Sequence, residues 1–174
     1  MNLTPVTRAF VLHWGEMGTR WGVNRTVAQV HALLYLAPRP LPADEIAETL
    51  AVARSNVSQS LRELRRWGLA HVVHVMGDRR EHFATHGDVW QMLKLVLQER
   101  KRRELDPTIE VLRRTVSALP AGGDAETRRR LGDLLELFEA ADFAYAQLAP
   151  VPPDALRRLA RRGRQLRKLL GLGV

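Results

Sequence analysis

The segment that decides the fold of this chain is Arg54-Ser55-Asn56-Val57-Ser58-Gln59-Ser60-Leu61-Arg62-Glu63-Leu64-Arg65-Arg66-Trp67-Gly68. Its apolar residues Val57, Leu61 and Leu64 recur at helical spacing, which predicts a helix with one buried stripe. Gly68 stands where a helix needs a left-handed closing residue. The opposite face carries hydrogen-bonding side chains, namely Ser55, Asn56, Ser58, Gln59, Arg62 and Arg66. We therefore expect a short helix with an apolar back and a polar front.

The preceding residues predict a partner helix and a tight turn. Residues 43–50 carry acids in what would be the first helical turn, and they place Ile46, Ala47 and Leu50 on one face. Residues 51–53 are then a three-residue turn. Two short helices joined in this way form a helix-turn-helix, whose second helix is free to present its polar face to the DNA major groove.

The polar front contains the side-chain types that read DNA. Amides and guanidinium groups match the donors and acceptors of base edges in the major groove. We expect Asn56, Gln59 and Arg62 to contact bases. The residues expected to bind phosphates are Ser55 and Ser58, together with Arg54 and Arg66 at the two ends of the helix.

A β-hairpin is predicted directly after this helix. Residues 69–76 and 81–86 are strand-like, and residues 77–80 form a turn with Arg79 and Arg80 at its tip. Two adjacent cations on a hairpin tip favour contact with a minor groove or a phosphate. A helix-turn-helix followed by such a wing is a winged-helix domain.

The rest of the chain is predicted to be helical, which gives a mostly α fold with a small β-hairpin wing. Residues 1–23 form an N-terminal helix that we assign to a dimerisation region. Residues 24–87 form the winged helix-turn-helix DNA-binding domain, in which the proline-rich residues 37–42 are a rigid connector. Residues 88–174 form a helical C-terminal dimerisation region that ends in a basic helix.

Composition limits the class of protein. The 174 residues include no cysteine, which excludes disulfides and thiolate metal sites. No apolar run approaches the roughly 20 residues of a membrane span, and the N-terminus lacks the pattern of a signal peptide, so we expect a cytoplasmic location and no membrane partner. The net charge is +8, but residues 154–174 alone carry +6, while six arginines and six acids balance within residues 43–86. DNA binding must therefore depend on where the arginines point.

The basic C-terminal segment, residues 157–168, has three interpretations. Its leucines at helical spacing favour a dimerisation helix with a solvated basic face. Its cations also suit contacts with the DNA backbone, and a basic amphipathic helix can lie on an anionic membrane.

Two further groups of residues contain side chains that can bind a metal ion or a small-molecule effector. His71, His74, His82 and His86 lie in the predicted wing strands, but alternation puts His71 and His74 on opposite faces and no ligand set is complete, so we predict no metal site and histidines at the surface or in a groove. The residues Trp14, Trp21 and Tyr35 either belong to a core or line an effector pocket.

No nucleotide loop or catalytic motif occurs, so we predict neither an enzyme nor a cofactor.

These elements resemble the GbsR branch of the MarR-type transcriptional regulators. The resemblance covers about the first 115 residues, from Trp21-Gly22 through Ala43-Asp44-Glu45-Ile46-Ala47, and is most specific in Asn56-Val57-Ser58, Leu61-Arg62-Glu63-Leu64 and Trp67-Gly68-Leu69. It implies a winged-helix homodimer built by helices from both chain ends and often controlled by a small ligand. Better-known members of the branch govern osmoprotectant uptake and synthesis, and sense choline-like compounds. This sequence contains no match to a choline cage, so the effector is of unknown identity.

The prediction is therefore a sequence-specific transcriptional regulator, with repression implied by the resemblance. It would bind double-stranded DNA as a homodimer on a palindromic operator. The alternatives are a winged helix that binds proteins and an architectural protein that binds DNA without sequence preference.

Overall fold

The computed structural model describes residues 1–120 and 124–169, with side chains up to residue 163. The chain divides into two compact units, the first comprising Met1–Met92 and the second beginning at Leu93. The first contains, in order, α1 (Pro5–Arg20), α2 (Arg25–Leu36), β1 (Leu41–Pro42), α3 (Ala43–Leu50), α4 (Arg54–Arg66), β2 (Ala70–Val73) and β3 (His82–Thr85). The second contains most of α5 (Val89–Arg100), then α6 (Asp106–Ala118), α7 (Ala125–Leu148) and α8 (Pro153–Leu169). The predicted fold class, mostly helical with a small wing, is confirmed.

The first two helices begin at residues whose side chains cap them. The hydroxyl oxygen of Thr4 accepts a hydrogen bond from the Thr7 amide at 3.2 Å, and Pro5 needs no amide partner at the first helical position. The carboxamide oxygen of Asn24 accepts one from the Thr26 amide at 2.8 Å. Both caps satisfy amides that the helix itself leaves unpaired.

Helices α1 and α2 approach closely because two glycines of α1 face α2. A Cβ atom added to Gly18 would lie 2.5 Å from Cβ of Ala28, and one added to Gly15 would lie 2.7 Å from Cγ of Gln29. Both distances are shorter than carbon atoms allow in packed proteins. The absent side chains therefore set the distance between the two helices, and α1 belongs to the same compact unit as the winged helix.

The core of the first unit lies among α2, α3, α4 and the sheet. Its most deeply buried side chains include Val30, Leu33, Leu41, Ile46, Val57 and Leu64. These six side chains come from α2, β1, α3 and α4. Strands β2 and β3 add the buried residues Ala70 and Phe83. The core therefore fixes α4 from behind and leaves its other face outward.

The sheet has three antiparallel strands in the order β1-β3-β2. Phe83 of the central strand lies opposite Leu41 of β1 and opposite Val72 of β2. The predicted rigid connector, residues 37–42, thus ends in strand β1. This strand was not predicted, because two residues are too few to show a periodic pattern. Pro42 is tolerated because β1 is an edge strand. The two hairpin strands have four residues each, shorter than predicted, because residues 74–77 at the tip are exposed.

The second unit begins within α5, whose start is capped by the Asp88 carboxylate accepting from the Trp90 amide at 2.8 Å. A π-helical turn, Lys101–Leu105, leads directly into α6. Pro107 has no amide hydrogen for the carbonyl four residues earlier, and its ring would clash with that carbonyl in a continuous α-helix. The π turn adds a residue at this point and accommodates the proline.

Helices α6 and α7 pack through ion pairs as well as apolar contacts. Arg113 of α6 pairs with Glu139 of α7 at 2.8 Å. Lys101 of the π turn pairs with Asp142 at 2.8 Å, and its ammonium lies 5.8 Å from the centre of the Tyr145 ring. Within the described part of the chain, no helix is both long and apolar enough to cross a membrane.

Candidate nucleic-acid interface

Helix α4 is held from behind by a buried stripe. Val57, Leu61 and Leu64 are almost completely inaccessible to solvent, as the spacing predicts. Ser60 shares this stripe, is 2% exposed, and donates its hydroxyl hydrogen to the Asn56 carbonyl at 2.8 Å. The burial of Ser60 was not predicted, although its position three residues after Val57 and four before Leu64 was a usable signal.

Both helices of the helix-turn-helix end at a left-handed residue. After α4, Gly68 has φ of 72°; its amide donates to the Arg65 carbonyl at 3.0 Å, and the Leu69 amide to the Leu64 carbonyl at 2.8 Å. The same pair of bonds ends α3, but there the left-handed residue is Ala51, with φ of 53°. A left-handed alanine costs about 1 kcal/mol, so packing of the two helices must hold the turn.

The front of α4 is open to solvent. Arg54, Ser55, Asn56, Gln59, Arg62 and Arg66 are exposed, and Ser58 is half-buried. Among the described residues, none forms an ion pair with Arg54, Arg62 or Arg66. Because folding does not neutralise these cations, their full charge is available to an anionic partner.

Two open grooves flank this front. The first, here called the α2 groove, has a volume of about 700 Å³ and lies between the start of α2 and α4. It is lined by Asn24, Thr26 and Val27 on one side, and by Asn56, Gln59, Ser60, Arg62, Glu63 and Arg66 on the other. The fold thus brings Asn24 and Thr26, at the start of α2, beside the polar front of α4, although neither was among the predicted contact residues.

The second, here called the wing groove, has a volume of about 450 Å³. Its α4 side is formed by Arg54, Ser58, Leu61, Arg62 and Arg65, and its other side by Pro42, Ala43, Asp44, Arg80, Glu81 and Phe83. Arg62 lines both grooves and therefore stands on the crest between them. Arg65 was not among the predicted contact residues, since its place beside the wing depends on tertiary structure.

The two wing arginines differ in their surroundings. Arg80 donates to both Asp78 oxygens, the shortest bond being 2.6 Å, and to the Asp44 carboxylate at the start of α3 at 2.7 Å. These bonds hold the pKa of Asp78 well below its usual range and raise that of Arg80, while Arg80 also lowers the pKa of Asp44. Arg79 is exposed and pairs with no described carboxylate.

The model of the MarR family matches residues 21–81, a span that runs from the end of α1 to the wing. These residues, which fold as a winged helix, are therefore similar to the MarR family. The matching model describes the MarR family as a whole, so the GbsR branch stays a prediction.

One solved structure shows the same fold over most of this chain. A crystal structure described as a transcriptional regulator is 22% identical, with a TM-score of 0.67 over 90% of this chain and 99% of that chain. A mutant of S. aureus MepR bound to an oligodeoxyribonucleotide is 20% identical, covers 78% of this chain and 89% of that chain, and has a TM-score of 0.39. Comparison with curated proteins returned no match.

The histidines of the winged helix are only partly at the surface, which corrects one prediction. His82 is 5% exposed, and its Nδ1 lies 3.1 Å from the Arg80 carbonyl, because β3 is the central strand of the sheet. The rings of His71 and His86 lie 5.6 Å apart across the hairpin. Within the described residues, no three His, Asp or Glu side chains are grouped as a metal site requires.

The three candidate effector residues are not all together. The rings of Trp14 and Trp21 meet edge to face at 6.5 Å, and Phe10 lies 5.5 Å from Trp14. Tyr35 is on α2, is partly exposed and takes no part in these ring contacts. Trp14, Trp21 and Tyr35 line neither the α2 groove nor the wing groove.

Proposed function

We propose that the chain is a sequence-specific DNA-binding transcriptional regulator. The observation that carries this proposal is the front of α4, where uncompensated arginines and amides stand exposed between two open grooves. A ridge of this form, backed by a rigid core, is suited to the major groove, which accepts one helix. Phosphates on either side of the groove would then lie against the α2 groove and the wing groove.

The roles of the residues follow from their positions. Asn56, Gln59 and Arg62 are proposed to contact base edges. The phosphate ligands are proposed to be Arg54, Ser55, Ser58 and Arg66, joined by Arg65 from the wing groove and by Arg79 at the wing tip. Arg62 is the most informative of these, because its place on the crest allows it to reach the floor of the major groove.

We further propose that the regulator acts as a homodimer on a palindromic operator and represses transcription. Support for the dimer comes from apolar side chains left exposed in the single chain, among them Val6 of α1 and Leu137 and Phe143 of α7. Apolar surface of this kind marks contact sites with other chains. Repression follows from the family resemblance, and a reporter gene under the operator tests its sign.

The experiment begins with selection of bound sites from random duplex DNA, followed by gel-shift titration of the selected operator. Loss of the Arg62 side chain in Arg62→Ala should weaken binding by about 1–3 kcal/mol and relax the preference at one base position. Arg114→Ala is the matched control, because it removes an exposed arginine of α6. Unchanged affinity and preference in Arg62→Ala would overturn the assignment.

Two results would favour the alternatives. Equal binding to every sequence would indicate an architectural DNA-binding protein. Absence of DNA binding at low salt, where phosphate contacts are strongest, would indicate a protein-binding winged helix.

For a small-molecule effector, we propose the cluster of Trp14 and Trp21 as the binding site. The two indole rings, inclined at 72° to each other, present an edge and a face, and an aromatic face attracts organic cations. Titration with quaternary amines should quench tryptophan fluorescence and shift operator affinity. A Trp21→Leu variant with an unchanged response would exclude the site.

A further inference from the structure

Helix α7 has two apolar stripes, and only one of them is covered within the chain. The first stripe faces α6 and the π turn; its half-buried apolar residues are Leu131, Leu135, Phe138 and Tyr145, and the half-buried Asp142 lies on the same side. The ion pairs of Glu139 and Asp142 with Arg113 and Lys101 confirm which side of α7 it occupies. An apolar helix face needs a partner, and α6 supplies one here.

The second stripe, here called the outer stripe, comprises Leu134, Leu137, Ala141, Ala144 and Leu148, all of them exposed. The leucines are 41%, 63% and 50% accessible to solvent, respectively. At 100° per residue the outer stripe lies roughly 100° around the helix from the first. Its spacing alternates three and four residues, which is the a/d pattern of helices that pack along their length.

We propose that the outer stripe pairs with the outer stripe of a second copy of this chain in an antiparallel helix pair. This inference rests on the proposed homodimer and specifies one part of its interface. The stripe extends over about 21 Å at the rise of an α-helix, which is long enough for four successive layers.

The order of side chains in the outer stripe favours the antiparallel direction. In antiparallel pairs an a residue lies at the height of a d residue of the other helix. Centring the pair near residue 139 then sets Leu134 beside Ala144 of the second copy and Leu137 beside its Ala141. Every one of the four layers combines a large side chain with a small one, so the helices can approach evenly.

A parallel pair would pack less evenly. It would place leucine on leucine at positions 134 and 137, then alanine on alanine at positions 141 and 144.

The absence of cysteine from the chain allows a clean cross-linking test. Leu134→Cys and Ala144→Cys are made as separate variants with different tags, co-expressed and oxidised. The antiparallel register separates position 134 from its own copy by about 15 Å along the helix, but sets it beside position 144. Since a disulfide needs Cβ atoms about 4 Å apart, the mixed pair should cross-link at least about tenfold more than either variant alone.

The control pair is Glu136→Cys with Ala144→Cys, since Glu136 is exposed on α7 but lies off the outer stripe. It should give only background cross-linking. Self-cross-linking of Leu134→Cys alone would overturn the antiparallel direction.

The molecular mass and the gel shift separate this inference from the proposed function. A protein that is dimeric in solution and binds its operator, but gives no mixed product, would overturn the α7 pairing and leave the proposed function intact. A monomeric mass would overturn the pairing and the homodimer together. Sequence-specific binding by that monomer would still preserve the regulatory function.

Discussion

Arg79 and Arg80 are neighbours at the wing tip, yet their charges are in different states. The guanidinium of Arg80 is shared between Asp78 and Asp44, so it joins the base of the wing to the start of α3. The charge of Arg79 is not compensated by any described carboxylate. The sequence predicted the same role for both, because the partner Asp44 lies 36 residues away in the chain.

We expect the two arginines to affect the salt dependence of DNA binding differently. Arg79→Ala should weaken binding to all sequences and reduce the slope of log affinity against log salt by about 1, which corresponds to one lost phosphate contact. Arg80→Ala should weaken binding with little change in slope, because its charge is already neutralised and its loss displaces the wing. Gel-shift titrations at several salt concentrations measure both slopes. Equal slope changes would show that Arg80 also binds phosphate.

At the scale of elements, the close packing of α1 against α2 depends on the absence of a Cβ atom at Gly18. Helical glycine normally costs up to about 1 kcal/mol relative to alanine, so the residue must serve the close approach. The atom it avoids, Cβ of Ala28, is attached to the backbone of α2 and has no rotamer that moves it away.

Two glycine-to-alanine substitutions should therefore change stability in opposite directions. Gly18→Ala should destabilise the first unit by about 1–3 kcal/mol, because α1 must move away from α2. Gly132→Ala in α7 is the matched control; nothing lies within 4 Å of its added Cβ, so it should stabilise by up to about 1 kcal/mol. Thermal unfolding followed by circular dichroism measures both. An increase in melting temperature for Gly18→Ala would contradict the close packing.

At the scale of the whole molecule, stability should decrease in acid because of His31 on α2. Its Nε2 is buried and has no hydrogen-bond partner among the described residues, and burial lowers the pKa of His31 from 6.5 to about 4. Above pH 6.5 both the folded and unfolded chains carry the neutral ring. Between pH 6.5 and about 4 the unfolded chain binds a proton that the folded chain does not, so unfolding becomes easier.

Near pH 4, His31 should lower the free energy of unfolding by about 3 kcal/mol relative to its value at neutral pH. His31→Leu should remove that part of the pH dependence, and it replaces a buried unpaired nitrogen with an apolar group. His13→Leu, which removes an exposed histidine of α1, is the control. Urea unfolding at pH 7 and pH 4.5 measures the difference. The same acid loss in His31→Leu as in the unchanged chain would show that other groups cause it.

The sequence by itself determined the helices, their caps and the inward stripe of α4. These depend on spacing and on residues within one turn of each other, and such interactions are local. It also indicated which side chains face outward on α4, because one buried stripe leaves only one exposed face. The MarR resemblance rested on the same residues, and the match over residues 21–81 agrees with it.

Only the tertiary structure decided the features that join distant residues. Strand β1 exists because β3 pairs with it, and Arg80 is neutralised because α3 places Asp44 beside the wing. Helix α7 carries apolar side chains on more than one side, and the packing of α6 decides which are covered and leaves the outer stripe exposed. Such contacts depend on how whole elements pack, and packing of this kind is not encoded in any single segment.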